Sequence, residues 1–129
     1  MGDYEENIPL TKEDVTKIKE ILKNKKFEEF KIHPYFYRDK FTNTFGNEPR
    51  HNIDLSELKK IHEKSELIKR GFKREGERGN KYTLCYEEST NVFVKIGYLL
   101  DEIPPKIFQA MRIFRNLERA VPRRYEVSI

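Results

Sequence analysis

The sequence predicts an α+β fold: N-terminal helices packed on a small, mainly antiparallel sheet of three to four strands. Three observations predict it. Two segments of the first half open on capping boxes and repeat apolar residues at helical spacing. Residues 67–100 alternate apolar and polar side chains with period two, interrupted twice by turn-forming residues. A chain of 129 residues can bury one hydrophobic core and leaves little room for a second, so residues 1–129 are expected to form a single domain.

The elements follow in order. Residues 1–8 read as disordered, residues 9–64 as the helical part and residues 65–121 as the sheet part. Thr11 can cap a first helix, with Asp14 three residues on and Leu10 stapling to Val15. Val15, Ile18, Ile21 and Leu22 give it an apolar face, and it should end near Lys25. Lys31-Ile32-His33 reads as a short strand, because the residue before Pro34 is pushed to extended geometry, and Pro34 suits the first turn of a helix. Tyr35, Phe36, Tyr37 and Phe41 make this stretch aromatic, and residues 42–52 read as a loop around Gly46 and Pro49. A second helix starts at Asp54, boxed by Glu57 and stapled from Ile53 to Leu58, with Leu55, Leu58, Ile61 and His62 on one face. Three strands follow over residues 67–74, 81–87 and 92–100. Tyr82, Leu84 and Tyr86 lie on one side of the second, and Val92, Val94, Ile96 and Tyr98 on one side of the third. The segment 106–121 is ambiguous. Ile107, Ala110, Met111, Phe114, Leu117 and Val121 form a helical stripe, while Ile107, Met111 and Ile113 also fit a strand face.

Composition narrows the class. Charged residues make up 37% of the chain, but the apolar runs argue against disorder. The single cysteine, Cys85, excludes a disulfide within the monomer and suggests a reducing compartment. No apolar stretch approaches the ~18 residues of a membrane span. The acidic N-terminal stretch has no apolar signal core, so a cytoplasmic location without membrane partners is expected. Abundant Lys, Glu, Arg and Ile, no Trp, and Gln109 as the sole glutamine resemble the usage of thermophile proteins. The net charge of +4 is unevenly spread. From Lys106 onward, Lys106, Arg112, Arg115, Arg119, Arg123 and Arg124 stand against Glu118 and Glu126, an excess equal to that of the whole chain. Clustered arginine favours phosphate or carboxylate contacts, though a solvated surface has the same composition.

Candidate site residues come from chemistry that needs no cofactor. Zinc-ligand spacing, a glycine-rich phosphate loop and a G-x-S-x-G elbow are all missing, so no metal or cofactor is expected. Metal-free RNA cleavage needs a proton acceptor for a ribose 2′-OH, a donor for the leaving oxygen, and cations for the phosphorane charge. His33, between a strand and a helix start, is the first candidate, with His51 and Arg50 beside each other in the loop. His62 reads as a core residue. Arg38, Lys69, Lys73, Arg112 and Arg115 are candidates for nucleic-acid contact, with Lys69 and Lys73 sharing one strand face and Arg112 and Arg115 near the sheet if their segment is a fourth strand. The bland reading of these strand lysines is a solvated face. Tyr82 and Tyr86 share a face with Leu84 and read as core, and Cys85 as an inert buried thiol.

The order of helix, helix and basic sheet resembles the RelE/ParE-type toxin superfamily of compact α+β ribonucleases and gyrase inhibitors. The resemblance rests on His33 in Lys31-Ile32-His33-Pro34 and on Arg50 in Arg50-His51-Asn52-Ile53-Asp54. It rests also on the rhythm of Lys81-Tyr82-Thr83-Leu84-Cys85-Tyr86 and Val92-Phe93-Val94-Lys95-Ile96. It spans about His33 to Arg119. The loop from His33 to Arg50 is longer than the family pattern, and the tail beyond Asn116 departs from it. The resemblance implies a metal-independent ribonuclease toxin, or an inactive relative, often made with an antitoxin protein. The competing readings are an RNA- or other nucleic-acid-binding module without chemistry, dominated by the arginines from Arg112 to Arg124, and a protein-interaction module using Tyr35-Phe36-Tyr37.

Overall fold

The computed structural model describes residues 7–37, 53–77 and 79–129 of the chain. In chain order its elements are β1 (Ile8–Pro9), α1 (Lys12–Asn24), β2 (Lys31–Ile32), α2 (Leu55–His62), β3 (Ile68–Gly76), β4 (Gly79–Ser89), β5 (Val92–Leu99), β6 (Lys106–Ile113) and α3 (Leu117–Ala120). Single 3-10 turns cover Phe27–Glu29, Pro34–Tyr37, Ser65–Leu67 and Arg123–Tyr125.

Local chemistry accounts for the helix starts. The Thr11 hydroxyl accepts from the Asp14 N–H while the Asp14 carboxylate accepts from the Thr11 N–H, and Asp54 and Glu57 repeat the exchange at α2. Each box satisfies two amides that a helix N-terminus leaves without partners. The helix expected at Pro34 is only the 3-10 turn.

The expected sheet of three to four strands is corrected to six, in one mixed sheet of order β1-β3-β4-β5-β6-β2. β3 to β6 pair as an antiparallel meander. β1 adds to one edge antiparallel, at Ile8 and Pro9. β2 adds to the other edge in parallel, Lys31 opposite Lys106 and Ile32 opposite Ile107. β2 falls in the segment read as a short strand, while β1 starts at Ile8, the last of the residues read as disordered. They are two residues long, too short for any alternation, and only pairing with distant strands creates them. The ambiguous segment 106–121 divides. Its first eight residues are β6, and Leu117 and Val121 of the helical stripe belong to the short helix and turn that follow.

Two layers cover the sheet. On one face, Tyr82, Leu84, Tyr86, Val94, Ile96, Tyr98, Ile107 and Ala110 pack against Ile18 of α1 and Leu58 and Ile61 of α2. On the other, Phe72, Cys85 and Phe93 lie under Leu117, Val121 and Tyr125 of the C-terminal segment. Burying side chains of this size stabilises by roughly 1.5–3 kcal/mol each. Cys85 is fully buried, and burial pushes its thiol up to about 12, so it is unreactive at neutral pH. Leu55, expected on the apolar face of α2, is instead exposed at its first turn. Among the described residues no helix is long and apolar enough to cross a membrane.

Candidate nucleic-acid interface

Backbone pairing places His33 at the start of β6. Its N–H donates to the Ile107 carbonyl at 2.9 Å, and its carbonyl accepts from the Phe36 N–H at 3.0 Å. The ring rests against Phe108, with centroids 4.9 Å apart. Phe108 occupies a β-bulge, since Gly97 pairs with Gln109 but the next residue, Tyr98, pairs with Ile107. Tyr35 stacks on the Phe108 ring at 4.7 Å, and the Lys81 ammonium lies 4.2 Å from its centroid. The bulge also separates Ile107 from Met111 and Ile113, which the sequence placed on one strand face. Ile107 packs in the helical-face core and Ile113 against the opposite one.

The state of the His33 ring follows from its partners. Nδ1 accepts from the Tyr35 N–H at 3.0 Å, so the neutral ring carries its proton on Nε2. Burial first, then the charge of Lys106, lowers its pKa below the ordinary histidine value; Glu102 opposes this and Lys81 adds to it. His33 is therefore a neutral hydrogen-bond donor at pH 7. Acting as a base through Nε2 would put the proton on Nδ1, facing the Tyr35 N–H. Arg50 and His51, the other catalytic candidates, and Arg38 lie outside the described residues.

Three of the remaining basic candidates are engaged in ion pairs or in local backbone contact. Lys73 faces α1 and binds the Asp14 carboxylate at 2.9 Å, both side chains largely covered. This hydrogen bond raises the lysine's pKa. Lys69 does not share its face. It is the extra residue of a bulge between Ile68, opposite Tyr86, and Arg70, opposite Cys85, and its ammonium donates to the Glu66 carbonyl at 3.4 Å. Arg112 is clamped by Glu57 at 2.7 Å and Glu88 at 2.8 Å. Its hydrogen bond to Glu88, with that to Glu57 behind it, raises its pKa despite burial.

Arg115 has a different setting. It belongs to a cap, residues 114–125, that leaves β6 and crosses the face opposite the helices. Asn116 fixes its start: Nδ2 donates to the Thr90 carbonyl at 3.0 Å, and Oδ1 accepts from the Arg119 N–H at 3.2 Å, capping α3. Leu117, Val121 and Tyr125 face the sheet, and Arg115, Arg119, Arg123 and Arg124 face outward and are exposed. The acid within this run, Glu118, is held by Arg70 at 2.8 Å, with Arg123 at 3.7 Å. Arg115 and Arg119 have no ion pair among the described residues. Arg124 lies over the Tyr125 ring at 4.6 Å. Phe114 opens the segment with 67% of its surface exposed.

Arg70 was not foreseen. Its guanidinium is 1% exposed, and it donates to the Val121 and Lys69 carbonyls as well as to Glu118, with Glu126 at 3.7 Å. It ties β3 to the cap. Arg119, Arg123 and Arg124 belong to the arginine run on which the sequence rests a nucleic-acid-binding module; their exposure depends on how the cap folds back. The cap and His33 sit at opposite ends of β6, whose eight residues span roughly 25 Å. His33, Arg112 and Arg115 therefore do not form one site.

No family model, curated protein or solved structure matches the chain. Among the described residues no group of three His, Cys, Asp or Glu side chains is placed to hold a metal ion.

Proposed function

We propose that the chain binds single-stranded RNA through its C-terminal cap, without chemistry of its own. The observation that carries this reading is one short segment with four exposed arginines whose internal acid is engaged by buried Arg70. Arginine forks suit phosphate oxygens. The exposed Phe114 ring beside Arg115 suits an unstacked base, which a single strand offers and a duplex does not. The test is fluorescence anisotropy with labelled single-stranded RNA over a salt series. The wild type binds at low salt. A variant with Arg115, Arg119, Arg123 and Arg124 changed to Gln loses most of that affinity, and the log–log salt slope falls by about 0.7 for each phosphate contact removed. Equal binding by the variant would refute the cap as the interface.

A metal-independent ribonuclease of the RelE type is the second reading, favoured by His33. A partly buried imidazole with a free Nε2–H, in the field of Lys81 and Lys106, supplies the proton donor and cations of such a site. Its proton acceptor would have to come from elsewhere. An antitoxin protein would be the partner under this reading. Total RNA incubated with the protein in EDTA, beside His33→Ala, separates the two. Cleavage lost in His33→Ala supports the ribonuclease, and intact RNA with retained binding supports the cap.

A further inference from the structure

On the helical face of the sheet, α1 and α2 end beside one another and leave a cleft of about 420 Å³. Its walls include Lys23, Lys25, Lys26, Glu28 and Glu63, and the His62 ring lies against it. His62 is only 4% exposed. Its Nδ1 lies 2.8 Å from the Tyr98 hydroxyl, which lies 2.7 Å from the hydroxyl of Tyr86, and both tyrosines are fully buried.

The two hydroxyl protons fix the direction of this chain. If Tyr86 donates to Tyr98, and Tyr98 to His62 Nδ1, both are used. The reverse direction leaves the Tyr86 proton without an acceptor among the described residues, a loss worth roughly 1–3 kcal/mol in a buried site. The ring proton therefore sits on Nε2. No described residue accepts it, so a buried donor is left open on a ring that lines the cleft. Burial also holds the His62 pKa down at about 4, so the ring acts as a neutral donor at pH 7.

The charges around it favour an acceptor that is an anion. Lys23, Lys25 and Lys26 have no ion pair among the described residues. Of the two carboxylates lining the cleft, Glu28 is bound to Lys59 at 2.6 Å, though its charge still reaches the His62 ring, and Glu63 has no ion pair among the described residues. The C-terminal carbonyls of both helices oppose an anion. Three ammoniums against two carboxylates, one of them already paired with Lys59, leave the lining net positive.

We propose that this cleft binds the phosphate or carboxylate group of a small molecule, held by His62 Nε2–H and the lysine ammoniums. The volume suits a small ligand. This site is independent of the RNA-binding cap. The test follows the His62 ring by ¹⁵N NMR of the full chain while inorganic phosphate and, separately, acetate are added at constant ionic strength. A saturable shift of the Nε2–H signal is expected, and the probe that produces it distinguishes phosphate from carboxylate. Lys23→Gln with Lys26→Gln, both at the surface and safe for the fold, should weaken binding roughly tenfold. No saturable shift with either probe, a shift matched by chloride, or unchanged affinity in the double variant would overturn the proposal.

Discussion

On the helical face, His62 is buried as a neutral ring, packed edge-on against Phe27 and Phe30 and hydrogen-bonded to Tyr98. On the cap face, Arg70 is buried as a cation, with Glu118 and Glu126 as its counter-ions. The helical face is packed mainly by apolar side chains beside the covered Asp14–Lys73 pair, and desolvation keeps its buried imidazole uncharged. The cap is too short for such a core. Leu117, Val121 and Tyr125 bury what they can, and an ion pair reaching out from the sheet adds to their hold. Because that pair engages Glu118, which Arg123 also approaches at 3.7 Å, Arg115 and Arg119 stay exposed with no ion pair among the described residues. In this molecule the anchoring of the cap and its surface charge have one origin.

Removing the anchor is the most severe way to break the comparison. Arg70→Ala takes away a buried cation, three backbone or carboxylate hydrogen bonds and a large side chain at once. We expect a loss of about 3–4 kcal/mol, the lower end of what buried ion pairs and large core truncations cost, because the abandoned carboxylates still reach water. Urea denaturation measures it. The cap should loosen first, seen as faster amide exchange at Val121 and Tyr125 while Leu84 and Ile96 stay protected. Uniform loss of protection would mean that Arg70 supports the whole sheet rather than its cap.

The His62 face should be sensitive to acid. The folded-state pKa of His62 is lowered from 6.5 to about 4, so below 6.5 the unfolded chain binds the proton more readily. Stability is then full above pH 6.5 and lost as pH falls towards 4, by about 3 kcal/mol in all. His33, lowered in the same direction, adds to the slope. His62→Phe should be less stable at pH 7, since Tyr98 loses its acceptor, yet flatter between pH 6.5 and 4. An unchanged slope in that variant would place the acid sensitivity elsewhere.

Much of this architecture can be read in the sequence wherever the cause is local. The Thr11–Asp14 and Asp54–Glu57 boxes need only four consecutive residues. The alternation of Tyr82, Leu84 and Tyr86 marks their face whatever lies beside it. What cannot be read is set by distant partners. Ile8–Pro9 is a strand only because β3 accepts it, and the short strand read at Lys31-Ile32-His33 gives no sign that its partner is β6. The bulges at Lys69 and Phe108 change which residues share a face, and neither position carries glycine, the residue that most often marks one. The fates of the arginines are equally remote. Arg112 meets Glu57, which is 55 positions away, and Arg70 meets Glu118, 48 positions away. Asn116, a capping residue just ahead of Leu117, is the local signal that divides segment 106–121.

Arg112 and Arg115, three residues apart, carry the comparison to smaller effects. Arg112→Gln gives up two carboxylate contacts in a partly buried setting and should cost about 1–2 kcal/mol. It should leave the salt dependence of RNA binding unchanged, because that guanidinium is already neutralised by Glu57 and Glu88.

Changing Arg115, Arg119, Arg123 and Arg124 together to Gln should do the reverse. None of the four fills the core, and exposed substitutions of this kind usually move stability within about 0.5 kcal/mol each. Glu118 keeps its contact with Arg70, so the cap should stay docked. A midpoint in urea close to wild type, together with lost RNA affinity, would show that these arginines serve a partner rather than the fold. A stability loss as large as that of Arg70→Ala would instead make them part of the cap's own support, and the exposed charge would need no partner to explain it.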